Sequence, residues 1–364
     1  MNLSTFIINF IIFLFFSNTY GADLTSCKLD AIYQFGDSLS DTGNSIVEIP
    51  QAYHARLPYG ETIGKATGRV SDGLLMIDYI AQSASLPLLE PYENSNSTFS
   101  HGADFSVAGV TALPKETLMK LNFSLGFSNS SLEVQLESMK ELLSTLCNST
   151  RDCQEKLKSS LFIVGIGGND FGRAFQRGDS VYEINKTIVP LVVGAIEDSI
   201  QKIINFGARR IVVTGSYPMG CSPAYLTMFS NTSTTKDSFG CLKDYNDIFA
   251  SHGDGLKIVV EKARKENPNI TIVFSDLYNA LFSVIKDRST LGLNSYQNAC
   301  CGTGGEYNVT LGQLDKMCGA KDIPVCPNPK EYLFWDEWHF THQANKALSD
   351  LLIEEMLPGL QCTS

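Results

Sequence analysis

Short apolar runs alternate with amphipathic stretches along most of this chain. Residues 31–37, 161–165, 210–215 and 270–275 are dominated by aliphatic and aromatic side chains with little polar alternation. Such runs suit strands buried on both faces. Residues 103–110 alternate apolar with small polar positions and predict one more strand. Helical spacing lies between these runs. In residues 74–86, Leu75, Tyr79 and the segment 81–86 recur by turns, Ser71 or Asp72 can cap the start, and Pro87 stops the helix. From Ser131 onward, Val134, Leu136, Met139, Leu142, Leu143 and Leu146 fall on or near one face. Residues 188–206 form another helix closed by Gly207, and residues 243–267 a longer one that Gly253 and Gly255 should weaken. A last helix is predicted over about residues 341–357. Strands alternating with helices imply parallel strands joined by crossovers. The expectation is a single three-layer α/β/α domain over residues 22–364 with about five parallel strands.

The first stretch breaks this pattern. Residues 6–16 are almost wholly apolar, and small or polar residues follow over 17–22. That run is too short to span a bilayer and reads as the core of a signal peptide over residues 1–21, cleaved after Gly21 or Ala22. No Lys or Arg precedes it, which departs from the usual pattern. No later run is apolar and long enough to span, so no membrane span is expected in the mature chain. All ten cysteines follow the cleavage point, an even number as a disulfide framework needs. Their pairing cannot be read from spacing, although Cys147 and Cys153 could close a local loop. Cys300, Cys301, Cys318 and Cys326 crowd one Gly-rich region, but the spacings do not form paired CxxC knuckles and no His is interleaved, which argues against zinc. Eight N-x-Ser/Thr sequons, at Asn96, Asn122, Asn129, Asn148, Asn185, Asn231, Asn269 and Asn308, complete the picture of a glycoprotein of the secretory pathway, extracellular (apoplast) or vacuolar. With 43% hydrophobic and 18% charged residues in 364, there is material for a large core. A net charge of −11 argues against a nucleic-acid partner.

Candidate chemistry sits where the predicted strands stop. Gly36, Asp37 and Ser38 end the first, Ala108 and Gly109 lie in the alternating segment, and Gly167, Gly168, Asn169 and Asp170 follow the run 161–165. In a parallel sheet these ends share one edge, the edge at which ligands bind. A Ser there is a candidate nucleophile. The N–H groups of Ser38 and Gly109 with the Asn169 amide could form an oxyanion hole, the arrangement acyl transfer needs for its developing charge. Of five histidines, His339 has a carboxylate three residues before it, Asp336, at a spacing that lets Asp336 orient one ring nitrogen and leave the other for Ser38. His54, His101 and His252 have no acid at useful spacing and read as structural, and His342 as a helix-surface residue. Asp41 and Asn44 read as local caps. No G-x-S-x-G, Walker A, G-x-G-x-x-G or H-E-x-x-H motif occurs, so no cofactor or metal is expected.

These residues resemble the four blocks of the plant GDSL, or SGNH, esterase/lipases: residues 35–44 around Ser38, Gly109, Gly167-x-Asn169-Asp170, and Asp336-x-x-His339. Lesser similarities are Pro58-Tyr59-Gly60, residues 67–73, Pro218 to Cys221, Gly240-Cys241 and residues 300–305. The family often carries Leu-Thr-Glu after its catalytic His, where this chain has Phe340, Thr341 and His342; a second His beside the mouth could alter leaving-group contacts or the pH profile. The resemblance implies a flavodoxin-like sheet, Ser38 as nucleophile, His339 as general base and acid, and Asp336 orienting His339. It implies Ser38, Gly109 and Asn169 as oxyanion donors and no cofactor. Residues 57–62, 85–92 and 331–336 are similar to the branch that includes acetylajmalan esterase and sinapine esterase. That similarity implies a small-molecule ester of a specialised metabolite with a small acyl group. Longer acyl lipids, acetylated wall polysaccharide, acyl transfer to an alcohol and a binding protein on an inactive scaffold are the competing readings.

Overall fold

A computed structural model describes residues 23–126, 128–229 and 234–362. The expected signal segment and the sequon at Asn231 lie outside the described residues. Five strands form one parallel sheet: β1 (Ala31–Gly36), β2 (Gly102–Asp104), β3 (Ser160–Gly165), β4 (Arg210–Thr214) and β5 (Thr271–Ser275), in the order β2-β1-β3-β4-β5. This is a flavodoxin-like order, as the family resemblance implied, whose crossovers reverse direction at β1 and open a crevice between β1 and β3 at the carboxyl edge. The register pairs Phe35 with Val164 and Gly36 with Gly165, so β1 and β3 end side by side.

Strand residues alternate between two apolar layers. Tyr33, Phe35, Phe162, Val164, Ile211 and Val213 pack beneath the helices Leu132–Leu146, Val189–Phe206 and Lys243–Glu266. Ile32, Leu161, Ile163, Val212 and Val273 face the helix Met76–Ser83 and the end of the helix His342–Met356. These are the two outer layers of an α/β/α arrangement.

Four expectations change in detail. The helix Lys243–Glu266 runs unbroken through both glycines. A Cβ on Gly255 would lie 2.9 Å from Val193 Cγ2, so this glycine admits a close crossing with the helix Val189–Phe206. The segment after β2 leaves the regular ladder at Asp104, although the Phe105 N–H still donates to Gln34 O at 2.8 Å. Asn44 Nδ2 takes the carbonyls of Asp104 and Ser106, both at 2.9 Å, in place of a neighbouring strand. Val134 is exposed, on the opposite side of its helix from buried Leu132, Leu136 and Met139. A second sheet was not anticipated: β6 (Ser295–Ala299) pairs parallel with β7 (Tyr332–Phe334).

All ten cysteines are paired: Cys27–Cys362, Cys147–Cys153, Cys221–Cys241, Cys300–Cys326 and Cys301–Cys318. The Gly-rich cysteine cluster is thus two disulfides. Of the described sequons, Asn96, Asn122, Asn129, Asn148 and Asn269 are exposed, whereas Asn185 and Asn308 are half-buried. Asn308 Nδ2, the atom a glycan would occupy, donates instead to Ala299 O at 2.9 Å. Among the described residues no helix is long and apolar enough to cross a membrane.

Candidate active site

β1 delivers Ser38 two residues past its last ladder position. The strand end is held by Gln135: Gly36 N–H donates to Gln135 Oε1 at 2.9 Å and Gln135 Nε2 donates to Gly36 O at 2.7 Å. Asp37 then accepts the Leu39 N–H at 3.1 Å, closing the turn. Burial raises the Asp37 carboxyl to about 6 against the pull of that N–H. Asp41 and Asn44 do more than cap the loop. Asp41 accepts the N–H groups of Gly43, Asn44 and Ser45, and also that of Ala108 at 2.8 Å, so it ties the Ser38 loop to the Gly109 loop.

The candidate base comes from the far end of the chain. β7 leads through Trp335 to Asp336, and the Trp335 N–H donates to His339 O at 2.7 Å, folding the segment into a tight loop. Asp336 Oδ1 accepts the N–H groups of Trp338 and His339, each at 2.9 Å. The His339 ring nitrogen Nδ1 lies 2.8 and 2.9 Å from the two Asp336 oxygens. A carboxylate only accepts, so Nδ1 is the donor and Nε2 carries the lone pair of the neutral ring. Ser38 Oγ donates to that Nε2 at 2.8 Å. Tyr59 O–H donates to Asp336 Oδ2 at 2.8 Å across 277 positions of sequence. For His339, burial works against the charged form, but the Asp336 charge and hydrogen bond, with Glu337 and Asp37 beyond, outweigh it and raise its pKa. Asp336 is lowered by the same contact despite its burial.

The third wall is the loop after β2 facing the start of the helix Gly168–Arg177. Gly109 adopts φ +80 with nothing within 4 Å of a would-be Cβ, so its backbone conformation, not crowding, calls for glycine. Asp170 accepts the N–H groups of Ala112 and Leu113 at 2.9 and 3.1 Å, Asn169 Nδ2 donates to Val110 O at 2.9 Å, and Arg173 Nη2 donates to Gly109 O at 2.9 Å. This leaves one Asn169 amide hydrogen unspent. Among the described residues, neither the Ser38 N–H nor the Gly109 N–H meets an acceptor.

Ser38, Gly109, Asn169, Asp336 and His339 all line one cleft of ≈ 1020 Å³. His54, expected to be structural, lines it too; its Nε2 lies 2.8 Å from Ser45 Oγ, and burial keeps the ring neutral with a pKa lowered to about 4. His342 does not line it. Its Nδ1 accepts the Leu74 N–H at 3.0 Å and its Nε2 lies 2.9 Å from the Tyr79 hydroxyl, so it joins the last helix to the helix Met76–Ser83 rather than facing the mouth. His252 is fully buried against Phe171, and His101 donates from Nδ1 to Asp30 O at 3.1 Å; both stand apart from the cleft. Tyr59, Gln135 and Glu337 had no local signal. Tyr59 lay in Pro58-Tyr59-Gly60 and Glu337 inside Asp336-x-x-His339, but nothing there pointed Tyr59 to Asp336 or Glu337 to the cleft.

The sequence profile of the GDSL-like lipase/acylhydrolase family matches residues 32–352. The chain is 38% identical over 346 residues to acetylajmalan esterase 2 of Rauvolfia serpentina, covering 93% of this chain and 94% of that one. It is 40% identical over 362 residues to the sinapine esterase of Brassica napus, covering 96% and 91%. Among solved structures, phospholipase A1 from Streptomyces albidoflavus NA297 aligns with a TM-score of 0.39 at 12% identity, over 90% of this chain and 98% of that one.

Proposed function

Since this chain belongs to the GDSL-like lipase/acylhydrolase family and is accordingly a carboxylic-ester hydrolase, we propose that it works through an acyl-enzyme on Ser38, and that its substrate is a small acyl ester of a specialised metabolite. The observation that carries the mechanism is the unbroken line from Asp336 through His339 to Ser38, each link 2.8 Å.

In this reading His339 Nε2 takes the Ser38 proton as Oγ attacks the ester carbonyl carbon. The carbonyl oxygen becomes an oxyanion and draws on the Ser38 N–H, the Gly109 N–H and the free Asn169 amide hydrogen. Collapse breaks the bond to the alcohol, which leaves with the proton from His339. Water then enters, gives its proton to His339 and attacks the acyl carbon; the acid departs and the proton returns to Ser38 Oγ. Asp336 stays ionised throughout, fixing the ring and stabilising the imidazolium.

The names of the two plant relatives, each a single defined ester, support the metabolite reading. A cleft of ≈ 1020 Å³ has room for a bulky alcohol portion. Five disulfides, which persist in oxidising compartments, support the secretory pathway. Replacement of Ser38 by alanine should lower turnover of p-nitrophenyl acetate by at least ~10³-fold and abolish labelling by a fluorophosphonate, with the circular dichroism spectrum unchanged. Full residual activity in Ser38→Ala would remove Ser38 from the mechanism. An acyl-length series with an optimum at long chains would overturn the small-acyl assignment.

A further inference from the structure

The helix Gly168–Arg177 brings two side chains to the loop that carries Gly109. Asn169 and Arg173 fall one turn apart, on one face of that helix. Asn169 Nδ2 donates to Val110 O and Arg173 Nη2 to Gly109 O, each at 2.9 Å. One helix face thus takes two successive main-chain carbonyls. Arg173 has a second anchor, since its Nη1 donates to Ser124 O at 2.6 Å. Gly126 lies against it, where a Cβ would stand 2.6 Å from Nη2. Arg173 Nε is buried without a partner among the described residues. A charged donor left partly unsatisfied is a poor device for stability alone.

What Arg173 holds is a turn whose geometry bears on the chemistry. Residues 107–110 form a type II turn: the Val110 N–H donates to Val107 O at 3.4 Å, and Gly109, third in the turn, has φ +80. The Gly109 N–H belongs to the central peptide, between Ala108 and Gly109. That peptide meets no partner of its own among the described residues. The peptides on either side of it are fastened. Asp41 Oδ2 accepts the Ala108 N–H at 2.8 Å before it, and Arg173 takes the Gly109 carbonyl after it. The N–H inherits its place in the cleft from these two fastenings.

We propose that Arg173 is a positioning residue for the oxyanion hole: by holding the Gly109 carbonyl to the helix Gly168–Arg177, it sets the Gly109 N–H where the developing oxyanion needs it. This rests on the acyl-enzyme reading. Arg173 bonds to neither Ser38 nor His339, so its loss acts on the stabilisation of transition-state charge and leaves the base untouched.

The test uses Arg173→Ala, Arg173→Gln and Arg173→Lys with p-nitrophenyl acetate and an aryl trifluoromethyl ketone. Ser38 Oγ adds to the ketone carbon, its proton passes to His339, and the carbonyl oxygen becomes an oxyanion lodged in the hole. Rates are expressed per site that a fluorophosphonate labels, which removes any misfolded fraction. Arg173→Ala, or Arg173→Gln if the alanine variant does not fold, should lower kcat/KM by about 10–100-fold, mostly in kcat. The ketone Ki should rise by the factor that kcat/KM falls, and the acidic limb of the pH profile should stay in place. Arg173→Lys reaches one carbonyl without forking between two, and should recover rate and ketone affinity in part and together. An unchanged kcat overturns the proposal. So does a lower kcat with unchanged ketone affinity, or a displaced limb, which would put the effect on His339. If a fluorophosphonate fails to label the unmodified protein, the acyl-enzyme reading has failed and the role of Arg173 falls with it. If it labels and Arg173→Ala runs at full rate, the positioning role alone is lost.

Discussion

His339 sits under two opposed influences, and in the proposed mechanism their balance sets the working pH. Burial favours the neutral ring; Asp336, bonded to Nδ1, favours the imidazolium and prevails. A base must be neutral to take the Ser38 proton, so raising the pKa moves the acidic limb of activity upward. The midpoint of that limb in kcat/KM should lie above 6.5, the ordinary imidazole value. In Asp336→Asn the limb should move to lower pH, because the charge that held the proton is gone. Turnover at the plateau should fall by roughly 10³–10⁴-fold as the ring loses its correct tautomer. A pH–rate series on both proteins checks this, and an unmoved limb would separate Asp336 from His339. Tyr59 adds a second side-chain donor to Asp336, from a distant loop, and helps keep that carboxylate ionised and in place.

At the scale of elements, the site depends on how the strand ends are fastened. Gln135, reaching from the helix Leu132–Leu146, supplies both an acceptor and a donor to Gly36, whose N–H has no other partner among the described residues. Gln135→Ala would orphan that buried N–H and should destabilise the protein by about 1–3 kcal/mol, with a loss of kcat as the Ser38 turn relaxes. Denaturant unfolding alongside kinetics measures both, and unchanged stability would show that the clamp is dispensable. These fastenings also mark what could be read in the sequence. The Asp336–His339 spacing was legible because it is local, three residues within one loop. Ser38, Gly109 and Asn169 were legible because a parallel sheet carries its strand ends to a common edge. Gln135, Tyr59 and Glu337 were not, because each acts on a partner or a cleft that chain pattern does not reveal; Gln135 and Gly36 are 99 positions apart. The partners of His54 and His342 were illegible for a related reason. The local neighbourhood of a histidine says nothing about which loop will fold against it.

For the whole molecule, buried carboxyls make stability depend on pH in an unusual direction. Burial raises Asp104 and Asp170 to about 7 and Asp37 to about 6. Each keeps its proton in the folded state where the unfolded chain would have lost it, so the stability these groups contribute is full below about pH 4 and lost as pH rises through their folded values. Buried His54 and His252, lowered to about 4, act oppositely, gaining stability as pH rises, but their contribution is complete by the ordinary value of 6.5. Above 6.5 the acids prevail, and the raised His339 adds to them. The melting temperature should therefore fall between about pH 6.5 and about pH 8. A scanning-calorimetry series gives the sign directly, and a rise over that interval would mean that these acids are ionised in the folded protein.

The disulfide between Cys27 and Cys362 spans 335 positions and joins the two ends of the described chain. Covalently, the molecule is a ring. A protease that severs any one exposed loop between those two cysteines turns the ring into a line but sets no fragment adrift. The loop bearing Ser38 and the loop bearing His339 would remain on one molecule after such a cut, their encounter still intramolecular. A first wound therefore need not part Ser38 from His339.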